Sequence, residues 1–212
     1  MLVGDKMSKP VISISPDMPI SDALNLMKKE KIRRAPVVKD GKLVGIVSDK
    51  DLLNASPSPV TTLSIWEMNY LLSKVTVSEV MTSNVLTVTE DTPIEQAARI
   101  MADNKIGGLP VMKDGHVVGI ITETDLFKVF LELLGARESG IRATVEIKDE
   151  PGSLAHITEV VAEKKGTFIS LGQFKGRKEG TRLVTFKVAG IAINDLRALL
   201  NPVVTEIVDI RS

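Results

Sequence analysis

The chain repeats itself. Val3 to Leu53 align with Val77 to Phe127 at a constant offset of 74, without a gap, and roughly 20 of the 51 aligned positions are identical, well above chance for a gapless self-alignment. Matched pairs run through the unit: Met7/Met81, Val11/Val85, Pro19/Pro93, Ala23/Ala97, Met27/Met101, Pro36/Pro110, Gly41/Gly115, Gly45/Gly119, Ile46/Ile120, Asp51/Asp125 and Leu52/Leu126. A fold for this chain must therefore use one structural unit twice, and a reading of either copy must hold for the other.

Each copy predicts a βαββα unit. Val11 to Ile14 is a short β-type run. Pro19 belongs to a first helical turn, with Ile20, Ala23, Leu24 and Met27 at helical spacing behind it. Ala35 to Val38 and Leu43 to Val47 flank an Asp40-Gly41 pair, a strong signal for an antiparallel hairpin. Ser48-Asp49-Lys50-Asp51 opens the next helix. The second copy follows with Val85 to Val88, Pro93 to Lys105, Leu109 to Met112, Asp114-Gly115 and Val117 to Ile121. One such unit is too small to bury both faces of its sheet. Two copies packed as a pseudo-two-fold pair would do so and would leave clefts between them. The expected boundaries are 1–56 for the first repeat, 57–76 for a linker helix and 77–134 for the second repeat. Asn54 to Pro59 reads as linker, and Leu63 to Ser73, with the only Trp and Tyr, as a helix packed on the module.

Composition narrows the function classes. Lys plus Arg and Asp plus Glu both number 27, so bulk charge does not point to a nucleic-acid partner. Aromatic residues at 3% leave few rings for base stacking. There is no cysteine, which rules out disulfides and thiolate chemistry. With no signal-length apolar segment at the start and no long apolar run, the expectation is a cytoplasmic protein without a membrane association.

The Pro-opened helix, the x-Pro-Val strand, the Asp-Gly hairpin, the Gly-Ile-[Val/Ile]-[Ser/Thr] strand and the [Ser/Thr]-x-x-Asp helix start occur in that order twice. This arrangement resembles a pair of cystathionine-β-synthase (CBS) domains, a Bateman module, over about residues 1–134. The resemblance implies an adenosyl ligand, such as AMP, ADP, ATP or S-adenosylmethionine, in the cleft between the repeats. It assigns Asp51 and Asp125 to ribose diols, with Ser48 and Thr122 as helix caps whose hydroxyls face the ligand. The residues alone also fit a capping box, in which hydroxyl and carboxylate satisfy free backbone N–H groups. At the start of the second strand the copies diverge: Arg33-Arg34 in one, Gly107-Gly108 in the other. Arg33 and Arg34 are the phosphate candidates, since guanidinium offers a fork of donors. Gly107 and Gly108 either let backbone approach a ligand or form a turn. Two unequal sites follow. Adenine walls would come from Val11, Ile12, Ala35 and Pro36, and from Val85, Leu109 and Pro110, any of which can equally serve as core.

After a short boundary at 135–140, residues 141–212 predict strand, helix, strand, strand, helix, strand, the ferredoxin-like βαββαβ order. The strands are expected at Ile141 to Ile147, Thr167 to Phe174, Thr181 to Val188 and Val203 to Ile210, and the helices after Leu154 and at Ile193 to Leu200. Asp149-Glu150-Pro151-Gly152-Ser153-Leu154 after the first strand resembles the D-x-P-G-x-L loop of ACT domains, amino-acid-sensing modules. That resemblance implies an amino-acid effector held by Asp149, Pro151, Gly152, Ser153 and Leu154, commonly across a homodimer interface. Geometry alone would make it a βα turn. The Lys175/Arg177/Lys178 tip reads as a solvated hairpin end. Two CBS-like repeats followed by an ACT-like domain resemble the acetoin utilization regulators.

The sequence therefore predicts an α+β / α/β protein that senses small molecules. His116 is expected to be exposed, and His156 lies early in a helix with no catalytic pair recognisable in the sequence. Neither joins a catalytic constellation, and there is no metal-ligand spacing or phosphate-binding glycine fingerprint, so neither catalysis nor a catalytic cofactor is expected. The alternative is a ligand-free scaffold or adaptor that dimerises and holds an unidentified protein partner.

Overall fold

The computed structural model describes residues 1–55 and 74–212, which separate into two units, Met1–Leu126 and Phe127–Ser212. Asn54 is the last residue of a helix with Ala55 as its C-cap; residues 56–59 of the expected linker and the helix expected at Leu63 to Ser73 lie outside the described residues. The first repeat contains α1 (Val3–Lys6), α2 (Ile20–Lys29), β1 (Arg34–Lys39), β2 (Lys42–Ser48) and α3 (Asp49–Asn54). The second contains α4 (Val77–Val80), β3 (Val88–Thr89), α5 (Ile94–Asn104), β4 (Gly108–Lys113), β5 (His116–Thr122) and α6 (Glu123–Leu133).

The long helices form where apolar spacing requires. α2 buries Ile20, Ala23 and Met27 on one face, and α5 buries Ala97 and Met101 at the matching positions. Pro19 and Pro93 stand one residue outside the first turn, as N-caps whose carbonyls accept from the Ala23 and Ala97 amides. Both hairpins turn on two residues at positive φ, Asp40 (50°) with Gly41 (76°) and Asp114 (50°) with Gly115 (80°). That is the type I′ geometry whose twist matches the flanking strands. β1 pairs antiparallel with β2 and β4 with β5, each with a register shift after the third hydrophobic position, at Val37/Val38 and Val111/Met112.

The first strand of each copy is shorter than its sequence suggests. Only Ile14 of the first run bridges, in parallel, to Val37, and in the second copy the strand is Val88–Thr89, parallel to β4. The preceding residues are drawn to the other repeat. Ser8 exchanges two backbone hydrogen bonds with Ile120 (2.9 and 3.2 Å), and Thr82 exchanges two with Ile46 (both 2.9 Å). The opening segment of each copy thus completes the sheet of its sibling.

Packing repeats the exchange. Val3 and Met7 are buried in the core of the second repeat with Val88, Ala97, Met101, Leu109, Val111 and Ile121. Val77 is buried in the core of the first, with Ile14, Ile20, Ala23, Met27, Ala35, Val37, Val47 and Leu52. Each such side chain contributes about 1.5–3 kcal/mol by leaving water. Gly45 and Gly119 make the approach possible: a Cβ on either would lie 2.4 Å from the sulfur of Met81 or Met7.

The second unit has β6 (Ile141–Lys148), α7 (Ser153–Glu163), β7 (Thr167–Lys175), β8 (Thr181–Ala189), α8 (Ile193–Leu200) and β9 (Glu206–Arg211). Its antiparallel sheet has the order β7-β8-β6-β9, the ferredoxin-like arrangement the sequence implied. Ile141, Ala143, Val145 and Ile147 alternate inward against Ile157, Val161, Leu196 and Leu200. β9 begins at Glu206, not Val203, because the Val203 and Val204 amides still donate to Leu200 O. On the opposite face, Thr144 and Thr185 hydroxyls meet at 3.0 Å. The expected linker at 135–140 is structured. Gly135 (φ 58°) ends α6 in a Schellman turn, and Lys187 Nζ donates to the carbonyls of Gly135 and Glu138.

Candidate ligand site

Ser48 and Asp51 form a capping box, and Thr122 and Asp125 repeat its carboxylate half. The Ser48 amide and hydroxyl both donate to Asp51 Oδ2 (2.9 and 2.6 Å), while the Asp51 amide donates to Ser48 Oγ (3.2 Å). Thr122 places its amide and hydroxyl 3.0 and 2.7 Å from Asp125 Oδ2. The box uses one carboxylate oxygen. Asp51 Oδ1 accepts no hydrogen bond from a described residue. The two aspartates differ in access: Asp51 is half-buried, whereas Asp125 is 5% exposed.

Asp51 lies on the wall of a cavity of about 490 Å³ within the first unit, formed from both repeats. That volume falls in the range of about 300–1,000 Å³ usual for small-ligand pockets. Of the expected residues, Arg34, Ser48, Asp51, Val85, Gly107 and Gly108 line it. Arg33, Val11, Ile12, Pro36, Thr122, Asp125 and Pro110 are not on its wall; Ala35 and Leu109 are fully buried in the two cores. Sequence reasoning passed over the polar Thr82, Asn84, Asn104 and Lys105, and the apolar Ile46, Val47, Leu86 and Ile106. The adjacency of Asn104-Lys105 to Ile106-Gly107-Gly108 is the one signal that pointed to part of this set. Among the described residues, the charged ones that line it are Arg34, Lys105 and Asp51, two cations against one anion.

Arg34 and Gly107 meet across the repeats. Arg34 Nη1 donates to Gly107 O at 3.1 Å, and the same carbonyl accepts from the Glu123 amide at 3.2 Å. A Cβ on Gly107 would lie 2.4–2.6 Å from three guanidinium atoms. The divergence between Arg33-Arg34 and Gly107-Gly108 thus has a packing cause: the arginine of one copy occupies the space that glycine leaves in the other.

In the second unit, the D-x-P-G-x-L loop leads into α7 through Gly152 at φ 90°. The Asp149 amide donates to Gly180 O at 2.8 Å, and its carboxylate forms an ion pair with Arg182 Nε at 2.9 Å that lacks hydrogen-bond alignment. Pro151 and Ser153 border an open cleft of about 610 Å³, with Lys148, Glu150, His156 and the turn at 202–205. Asp149 and Gly152 are not on that wall, and Leu154 packs on the core. His156 Nδ1 lies 3.9 Å from Glu159 Oε2, one helical turn away, and both side chains are exposed. Lys175, Arg177 and Lys178 of the basic hairpin tip are exposed, while the backbone of the tip is fastened to a buried carboxylate. The amides of Arg177 and Lys178 (3.0 and 3.2 Å) and the Thr181 hydroxyl (2.6 Å) all donate to Oε1 of Glu146, which has no exposed surface. The Thr181 hydroxyl, opposed by burial and aided by the two amides and the Lys178 charge, holds this carboxyl below its ordinary pKa.

A family model for the CBS domain matches residues 3–58 and again 77–132, and one for the TTHA0829-like ACT domain matches 139–211. The chain belongs to the CBS-domain family, with a tandem CBS pair followed by a C-terminal ACT domain. A CBS domain-containing protein of Dictyostelium discoideum is 35% identical over 136 residues, covering 63% of this chain and 94% of that protein. The CBS domain pair of protein MJ0100, solved in complex with 5′-methylthioadenosine and S-adenosyl-L-methionine, is 34% identical. It covers 65% of this chain and 98% of that one, with a TM-score of 0.52. A Vibrio cholerae structure assigned to acetoin utilization (AcuB) is 32% identical, covers 65% and 95% of the two chains, and has a TM-score of 0.53. Among the described residues, no group of three or more His, Cys, Asp or Glu is placed to hold a metal ion, and no helix is long and apolar enough to cross a membrane.

Proposed function

We propose that the chain is a non-catalytic regulatory protein that binds an adenosyl ligand between its CBS repeats, and that the ligand is an adenine nucleotide bearing phosphate. The observation that carries this reading is the convergence of Asp51, Arg34 and Lys105 on one cavity with apolar walls from both repeats. Asp51 Oδ1 accepts from the ribose hydroxyls while Oδ2 keeps the Ser48 cap intact. Val85 and Ile106 bracket the base, and the Arg34 guanidinium faces the phosphate. The adenosyl compounds bound by the MJ0100 pair support the ligand class. The excess of positive charge among the described lining residues favours a phosphate tail over a sulfonium. Thr122 and Asp125 form the weaker counterpart, with Gly108 where the first copy has Arg34.

The D-x-P-G-x-L loop supports an amino-acid effector at the ACT domain, and the AcuB neighbour supports a role in acetoin or related carbon metabolism. Assembly as a cytoplasmic homodimer that acts on a protein partner completes the reading. Calorimetric titration with AMP, ATP and S-adenosylmethionine tests it. AMP or ATP is expected to bind more tightly than S-adenosylmethionine, and Asp51→Ala to abolish the heat. A folded protein that binds none of the three would overturn the reading.

A further inference from the structure

We infer that Gly107 is a positioning residue for ligand selection: its carbonyl and its missing side chain set the Arg34 guanidinium for one phosphate group, making the cavity a single anion receptor assembled across the two repeats. This rests on the nucleotide reading of the cavity. The guanidinium has five N–H donors in a rigid fork. One of them, on Nη1, is held by Gly107 O at 3.1 Å. That carbonyl is itself fixed by the Glu123 amide at 3.2 Å, so both its lone pairs are used and its direction is set by the helix start that follows β5. The side-chain space at Gly107 is filled by the guanidinium, since a Cβ there would lie 2.4 Å from Nη2 and 2.6 Å from Cζ and Nη1. An arginine stem normally loses rotamer freedom on binding an anion. Here part of that loss is incurred before the ligand arrives, and the remaining donors stay available to phosphate oxygens.

The same geometry makes the receptor one-sided. The position equivalent to Arg34 is Gly108, and the position equivalent to Gly107 is Arg33, whose carbonyl accepts the Asp49 amide and whose side chain is exposed. The pseudo-symmetric half therefore has no arginine at the Arg34 position and no glycine at the Gly107 position to orient one.

The test is calorimetric titration with AMP and with adenosine, which differ only in the phosphate, on the full chain and on Arg34→Lys, Gly107→Ala and the double variant. Charge-assisted hydrogen bonds of this kind correspond to roughly ten- to hundredfold in affinity. The unaltered chain is expected to prefer AMP over adenosine by that factor. Arg34→Lys keeps the charge but loses the fork, and Gly107→Ala keeps the arginine but displaces it. Each is expected to reduce the ratio of AMP to adenosine affinity to a few-fold, with circular dichroism and urea unfolding reporting that the variant is folded. The double variant is expected to lose no more than either single one, because both act on one contact. A Gly107→Ala chain that keeps its full AMP preference, or an Arg34→Lys chain that does, overturns the positioning role while the nucleotide reading stands. If adenosine and AMP both fail to bind the unaltered chain, the nucleotide reading falls and this inference with it.

Discussion

Glu146 shows how a single buried charge can fasten a loop. Its Oε1 collects two amides and a hydroxyl from the β7–β8 tip, and its carboxyl is held below the ordinary range chiefly by the Thr181 hydroxyl. A carboxylate whose folded-state pKa is depressed stabilises the fold above its unfolded-state value, and that contribution disappears as pH falls through the folded-state value. Glu146→Gln is therefore expected to lower the midpoint of thermal unfolding, followed by circular dichroism, at neutral pH. The gap to the unaltered chain should close on acidification below the ordinary carboxylate range. A gap that stays constant down to that range would mean the charge is not what holds the tip. At the other end of the chain, Gly45→Ala places a methyl group against the Met81 sulfur. It is expected to destabilise by about 1–3 kcal/mol, measured by urea unfolding, and Met81→Ala in the same chain should relieve part of that loss.

The exchanged opening segments are the feature of element scale that most affects stability. Met7 belongs to the first repeat in sequence but packs in the core of the second. Met7→Ala is expected to cost about 2–5 kcal/mol, and hydrogen exchange should report it in β4, β5 and α5 rather than in β1, β2 and α2. Equal loss of protection in both halves, or loss confined to the first, would contradict the exchange. Much at this scale was legible in the sequence. The gapless repeat, the two Asp-Gly turns, the Ile20/Ala23/Met27 spacing and the βαββαβ order of residues 141–212 are local or periodic signals, and the structure follows them. The exchange was not legible, because a self-alignment matches Ser8 to Thr82 without saying which copy either one joins. Nor were the Glu146 contacts with a tip 31 to 35 residues away, or the meeting of Arg34 and Gly107 across 73. In the cavity, the motif positions Ser48, Asp51 and Arg34 were found from sequence. Thr82, Asn84, Asn104 and Lys105 were missed because they come from loops and helix ends that carry no motif and become neighbours only when the repeats pair.

For the whole molecule, the proposed function rests on the pairing of two unequal copies of one unit. Two identical repeats would present two identical clefts. Divergence at 33–34 against 107–108 leaves one cavity with an oriented cation and an accessible carboxylate, Asp51, while Asp125 stays almost fully buried. A ligand in that cavity touches both repeats at once. It can bias their arrangement only to the extent that it binds one arrangement more tightly than another. Saturation with AMP at about 100 times its dissociation constant is expected to stabilise the folded chain by about 2.7 kcal/mol, read as a shift in the urea midpoint that Asp51→Ala abolishes. The most direct test is equilibrium dialysis of AMP against the unaltered chain, Asp51→Ala and Asp125→Ala. Near-saturating AMP should give one nucleotide per chain, lost with Asp51→Ala and retained with Asp125→Ala. Two equivalent nucleotides per chain, or binding that survives Asp51→Ala and is lost with Asp125→Ala, would place the ligand elsewhere and contradict the assignment.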